Sequence, residues 1–252
     1  MVSAVNGRHN LPTPPPMDYS PAAGSGGLKQ IHGALAPYPH HRHMWIITGP
    51  AGCGKSTIAA YLSKELSIPY IEGDDVSDTT EEPWILHGVN PADVIFLPQY
   101  HPDSNKTKMA AGTPLTDADR WDWLIALREA AAARLSPSKS STTKPHDGVV
   151  VTCSALKRKY RDVIRIAAYD DHDVMVHFIY LRADAAVLLQ RVKCRKGHYM
   201  KSAMVRSQLE VLESPDAMEQ KRDVLEVDCT GNLTNVQKLV VKTVREALAD
   251  DQ

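Results

Sequence analysis

The chain is poor in several things, and each shortage narrows what it can be. Only two phenylalanines occur in 252 residues, so a core must come mainly from Val, Ile, Leu and Ala. Cys53, Cys153, Cys194 and Cys229 are scattered, with no Cys-x-x-Cys and no His–Cys pairing. That spacing excludes the usual zinc sites and a disulfide framework, and it fits a reducing compartment. No apolar run approaches membrane-spanning length, and no charged-then-apolar leader opens the chain, so a cytoplasmic protein with no membrane partner is expected. A basic excess is missing too: 29 Lys and Arg face 30 Asp and Glu, for a formal net charge of −1. Nucleic-acid surfaces need that excess to release phosphate counterions, so the composition points to small-molecule chemistry.

What is present is a motif with a mechanism. The apolar stretch Met44-Trp45-Ile46-Ile47-Thr48 runs into Gly49-Pro50-Ala51-Gly52-Cys53-Gly54-Lys55-Ser56-Thr57, which has the form Gly-x-x-x-x-Gly-Lys-Ser. Ile58, Tyr61, Leu62 and Leu66 then recur at helical spacing. Glycines let successive N–H groups converge on a phosphate chain, and the helix start adds its dipole at the same point. Lys55 is placed to reach β- and γ-phosphates and Ser56 to take one position on Mg²⁺, so a phosphate chain and Mg²⁺ are the expected ligands.

Residues 1–43 are rich in Pro, Gly and Ser and read as a disordered tail, with His40, His41 and His43 at its end as an incidental cluster. Residues 44–252 read as one domain. A short strand at 68–71 ends in Glu72-Gly73-Asp74-Asp75, and acids at a strand's carboxyl end face the crevice where open α/β sheets bind ligands. Thr116-Asp117-Ala118-Asp119 is a capping box opening a helix whose buried stripe includes Trp121, Leu124, Ile125 and Leu135. Strands are expected at 149–153, 174–181 and 224–228. Arg191 and Arg195, four apart on one helix, read as lid cations for a transferring phosphoryl group. A further helix carries Met204, Val205, Gln208, Leu209 and Leu212 and stops at Ser214-Pro215. Five alternations of strand and helix predict an α/β fold, a parallel five-stranded sheet with helices on both faces.

Several segments resemble the thermoresistant gluconokinase family: 49–57, Glu72-Gly73-Asp74-Asp75, Tyr100-His101-Pro102, Lys108-Met109-Ala110-Ala111-Gly112, Pro114 to Arg120, Cys153-Ser154-Ala155-Leu156-Lys157, Tyr160-Arg161-Asp162 and Arg195-Lys196-Gly197-His198. The resemblance spans about residues 44–249. It implies ATP-dependent phosphorylation of D-gluconate to 6-phospho-D-gluconate on a nucleoside-monophosphate-kinase-like fold with a helical lid. It further implies that residues 49–57 with Arg191 and Arg195 hold the nucleotide, and that Ser56 and Glu72 serve the metal. Asp74 takes the hydroxyl proton, assisted by Lys55 and Arg161, while Asp75, His101, Lys108, Arg120 and Arg161 hold the substrate. A homodimer is usual among such proteins. Two rivals stay open, a shikimate-kinase-like enzyme and a nucleotide-binding module that transfers nothing.

One departure stands out. Residues 76–99 intrude between Asp75 and Tyr100, which adjoin in the family pattern. Val76-Ser77 can be encoded by GTGAGT, Ala92-Asp93 by GCTGAC and Gln99 by CAG, which are donor-, branch- and acceptor-like sequences. The segment therefore reads as a retained intron; translated, it is expected to form a disordered loop at the cleft and to weaken gluconate binding.

Overall fold

The computed structural model describes residues 41–73, 94–96, 107–108, 111, 113, 115–136, 147–194 and 202–251, all within the compact unit Pro39–Gln252. In chain order the elements are β1 (Arg42–Thr48), α1 (Lys55–Leu66), β2 (Tyr70–Glu72), β3 (Val94–Phe96), α2 (Asp117–Leu135), β4 (Gly148–Thr152), α3 (Arg158–Asp170), β5 (Val174–Arg182), α4 (Ala185–Cys194), α5 (Ser202–Glu210), α6 (Ala217–Arg222), β6 (Val224–Asp228) and α7 (Leu233–Asp250).

The strands form one parallel sheet in the order β3-β2-β4-β1-β5-β6. All five expected strands are there, and β1 lies between β4 and β5. The sixth corrects the expectation of a wholly disordered loop at 76–99: Val94–Phe96 pairs with β2, with Tyr70 opposite Val94 and Glu72 opposite Phe96. An edge strand offers unpaired N–H and C=O groups, and Val-Ile-Phe is a β-forming run. The remainder of 76–99, and residues 1–40, fall outside the described residues. The tail boundary also moves, because β1 begins at Arg42 rather than at residue 44. Arg42 donates to the Leu135 carbonyl at 2.6 Å and to Asp171 at 2.9 Å.

Strand alternation divides the core between two faces. Trp45 and Ile47 pack with Ile58 and Leu62 of α1 and Val240 and Val244 of α7. Met44 and Ile46 pack with Leu124 and Leu127 of α2 and Ile164 of α3. The capping box is formed as expected: Asp119 N–H donates to Thr116 Oγ1 at 3.3 Å, and Thr116 N–H donates to Asp119 Oδ2 at 2.9 Å. Among the described residues, no helix is long and apolar enough to cross a membrane. No group of His, Cys, Asp or Glu there can by itself hold a metal ion.

The histidines at the amino end of β1 are not incidental. His43, Trp45 and His177 form a stack, with ring centroids 4.3 Å apart for Trp45–His177 and 5.3 Å for His43–His177. His43 Nδ1 and His177 Nε2 lie 3.1 Å apart. His41 Nδ1 sits 2.8 Å from Asp251 Oδ1, and His43 Nε2 3.5 Å from Asp251 Oδ2, so the strand is tied to the end of α7. Burial lowers the pKa of His43 against the pull of Asp251 and Asp147. Burial and then His43 push His177 down to about 4, against Asp223 and Asp251.

Both rings are thus neutral in the folded state and protonate more readily on unfolding, where the ordinary value is 6.5. The stability they contribute is complete above that value and is lost as pH falls toward about 4. Thermal midpoints measured across this range should fall steeply in the parent chain and less steeply in His177→Phe, which keeps a ring in the stack and removes one titration. Equal slopes would refute the assignment.

Candidate active site

The phosphate cradle starts where β1 ends. Gly49, Gly52 and Gly54 have φ of 135°, 87° and 99°. Other residues rarely adopt that region. A Cβ on Gly49 would also stand 2.8 Å from the Leu181 carbonyl oxygen. Gly54 is the N-cap of α1, supplies no side-chain cap, and is followed by a first turn without acids. The first N–H groups of α1 therefore present their partial positive charge with no acidic residue of their own turn to neutralise it. Lys55 is buried and donates from Nζ to the Gly49 carbonyl at 3.1 Å, lying across the loop. Thr48 Oγ1 donates to the Ser154 carbonyl at 2.7 Å, which ties the end of β1 to the segment after β4.

A polar string runs beside the cradle. Glu72, at the end of β2, is buried and accepts from the Tyr70 hydroxyl and from Thr152 Oγ1, the latter at 2.5 Å. Thr152 in turn accepts from Gly73 N–H at 3.0 Å, so its hydroxyl both gives and takes. Burial raises the Tyr70 phenol's pKa well above 10, the neighbouring Glu72 carboxylate adds to the rise, and the nearby Thr152 and Ser56 hydroxyls offset part of it. Ser56 and Glu72, named together as metal groups, thus both lie beside the Tyr70 phenol. Gly73 is crowded, since a Cβ there would lie 2.3 Å from the Thr152 carbonyl oxygen and 3.1 Å from Leu127 Cδ1. Asp74, Asp75, His101 and Arg195 lie outside the described residues.

Across from the cradle is a cavity of about 280 Å³ lined by Thr116, Asp117, Arg120, Lys157, Ser207 and Gln208, among others. Arg120 donates to the Leu115 carbonyl and lies 5.6 Å over the Tyr160 ring. Lys108 reaches Asp119 at 2.7 Å, which holds that carboxyl at about 2 together with bonds from Thr116. Lys157 meets Asp117 at 3.0 Å; Lys159 and Tyr160 also bond to Asp117, and the three keep its pKa far below the carboxylate range. Gln208 spans to the cradle, its Oε1 accepting from Ala51 N–H at 2.7 Å. Lys157 and Gln208 were not expected at the site. Lys157 sits in a family-like segment, while Gln208 was visible only as a polar member of an apolar stripe.

Arg161 requires a correction. It is 2% exposed, and its guanidinium is taken up by Glu219 at 2.6 and 2.9 Å and by the carbonyls of Ala155 at 3.1 Å and Glu213 at 3.0 Å. Glu219 also pairs with Arg165 at 2.8 Å. Burial opposes its ionisation, but the bonds from Arg161 and Arg165 prevail and hold Glu219 at about 2. Arg161 therefore braces the loop after β4, including Ala155 at φ 37°, rather than presenting its charge to a substrate. Arg191 is anchored at the end of β6 through the Cys229 carbonyl, at 2.7 Å.

Two outcomes follow from this packing. Arg161→Ala leaves Glu219 buried with part of its compensation gone, so denaturant titration should show a loss of about 3–5 kcal/mol. The KM for the acceptor, measured on the folded fraction, should stay within about twofold, because a change below about 0.4 kcal/mol is expected for a residue without substrate contact. Gly73→Ala should lower the thermal midpoint and disturb Glu72 together, since the added methyl has no room; an unchanged midpoint would contradict the crowding.

The comparisons with known proteins agree with this geometry. A family model described as AAA domain matches residues 46–216. The "Probable gluconokinase" of Schizosaccharomyces pombe is 38% identical over 187 residues, covering 74% of this chain and 80% of the relative. The "Thermoresistant gluconokinase" of Escherichia coli is 34% identical over 207 residues, covering 82% and 96%. The crystal structure of a gluconokinase from Sinorhizobium meliloti 1021 superposes with a TM-score of 0.61 at 30% identity, covering 84% of this chain and 96% of that one. The strand order, the glycine cradle at the end of β1 and these identities over most of both chains together establish that this protein belongs to the thermoresistant gluconokinase family of P-loop kinases.

Proposed function

We propose that the chain transfers the γ-phosphoryl group of ATP to D-gluconate, yielding 6-phospho-D-gluconate and ADP. The observation that carries this reading is adjacency: the N–H-lined cradle and a small cavity bearing Arg120 and Lys157 share the side chain of Gln208. Its size lies at the small end of ligand pockets and suits a compact sugar acid. The named gluconokinases among the relatives support the choice of acceptor.

The residues divide the work by their chemistry. N–H groups of residues 49–56 and the start of α1 bind the phosphate chain, and Lys55 exchanges the Gly49 carbonyl for phosphate oxygens. Mg²⁺ needs only one or two protein oxygens when it arrives on a nucleotide, and Ser56 with Glu72 fits that requirement. When bound, the ion neutralises charge on the β- and γ-oxygens. Asp74 follows Gly73 at the end of β2 and takes the proton from the attacking gluconate hydroxyl as the new P–O bond forms and the bond to ADP breaks. Arg120 and Lys157 hold the carboxylate, Lys108 is paired with Asp119, the residue before Arg120, and Asp75 and His101 meet hydroxyls.

An ADP-release assay across sugar acids, with shikimate as a control, tests the reading. D-gluconate should be turned over in preference, and Lys55→Ala should lower kcat by about 100-fold or more. Absence of gluconate-dependent ADP release would overturn the proposal. The 76–99 segment is dispensable on this reading, as a retained intron would be. A chain lacking it should keep kcat and bind gluconate at least as tightly, whereas loss of turnover would make β3 part of the working fold.

A further inference from the structure

We propose that Gln208 is a positioning residue that couples occupation of the phosphate cradle to the set of the acceptor cavity. The inference rests on the phosphoryl-transfer reading and extends it to a residue outside the motif.

The geometry starts from a donor with one possible role. Ala51 N–H can only donate, so the oxygen of the Gln208 carboxamide faces it, at 2.7 Å, and the amide orientation is fixed by chemistry. Ala51 is buried and lies between Pro50 and Gly52 in the stretch whose N–H groups surround the phosphate position. A phosphate oxygen forms a charge-assisted bond to such a group, roughly twice as strong as the bond from a neutral amide oxygen. Phosphate in the cradle and Gln208 therefore draw on the same donor.

The other half of the argument is where the side chain belongs. Gln208 projects from α5, the helix anchored by the fully buried Val205, and lines the cavity together with Thr116, Asp117, Arg120 and Lys157. One carboxamide thus touches the nucleotide side and forms part of the wall of the acceptor side. When the nucleotide's terminal phosphate takes the Ala51 donor, the carboxamide shifts toward the cations of the cavity and fixes the acceptor hydroxyl against that phosphate. A neutral amide is needed, since a carboxylate there would face two anions, the triphosphate and the sugar acid.

The test compares wild type with Q208A and Q208E in the full chain, reading ATP affinity by calorimetry without acceptor, then kcat and both KM values with D-gluconate. Q208A should fold with an unchanged thermal midpoint, retain ATP binding, and lose at least about tenfold in kcat through misplacement of the acceptor. Q208E keeps an acceptor for Ala51 N–H and so would satisfy a merely structural role. On the coupling role it should bind ATP at least about tenfold more weakly than Q208A, and its activity relative to wild type should rise as pH is lowered from about 7.5 to 5.5 and the introduced carboxylate begins to protonate. Q208A within twofold of wild type in every parameter, or Q208E binding ATP as tightly as Q208A, would overturn the proposal. Should wild type fail to phosphorylate gluconate, the acceptor assignment falls, while the ATP-affinity contrast between Q208A and Q208E still judges Gln208.

Discussion

Everything at the site depends on a helix start that the protein does not cap for itself. Behind Gly54, which contributes no side-chain cap, the first turn of α1 carries no acidic residue, so its N–H groups keep their partial positive charge for an anion. Holding that arrangement still is the task of the central strands. β1 is paired on both sides, to β4 and β5, and two positions of the loop leave no room for a side chain: at Gly52 a Cβ would lie 2.9 Å from Val192 Cγ2, as at Gly49 it would meet the Leu181 carbonyl. The loop is crowded at Gly49 and Gly52, although its composition suggests freedom.

Charge at the site is managed by keeping each sign in its own place. Glu72 accepts from the hydroxyls of Tyr70 and Thr152, which together hold the buried carboxylate at the end of β2. Asp117 steadies Lys157 in the cavity and Asp119 steadies Lys108, and both carboxyls are strongly acidic where they stand. The most buried charges, Arg161, Arg165 and Glu219, are spent on architecture, locking the segment after β4 to α6. Removing water from such ions is costly, and only near-complete hydrogen bonding offsets it.

Local patterns were legible in the sequence and distant pairings were not. The cradle could be read because its glycines, lysine and serine are consecutive, and the capping box because both partners lie within four residues. The five main strands were legible as runs of β-branched residues. Arg161 was misassigned because its partner Glu219 is 58 residues away, and a sequence does not show which way a guanidinium points. The same limit hid Thr152 behind Glu72, 80 residues apart, and His177 behind His43, 134 apart. β3 was missed because a three-residue strand has no period of its own and exists through the edge it joins. Gln208 was visible but looked like an imperfection in a stripe, as a polar side chain does when its purpose lies on another element.

The tight packing at Gly73 has a consequence for how such genes change over time. Because that residue is wedged against Thr152 and Leu127, the backbone is pinned immediately after Glu72, and Gly73 N–H is held by the same Thr152 hydroxyl that bonds the carboxylate. A change of length beyond the wedge meets a fixed point before it reaches Glu72, so a splice-site shift or a duplication can alter the following loop while β2 keeps its register with β4. Gly73 acts as a firebreak, and lineages can experiment beyond it without dismantling what lies before it.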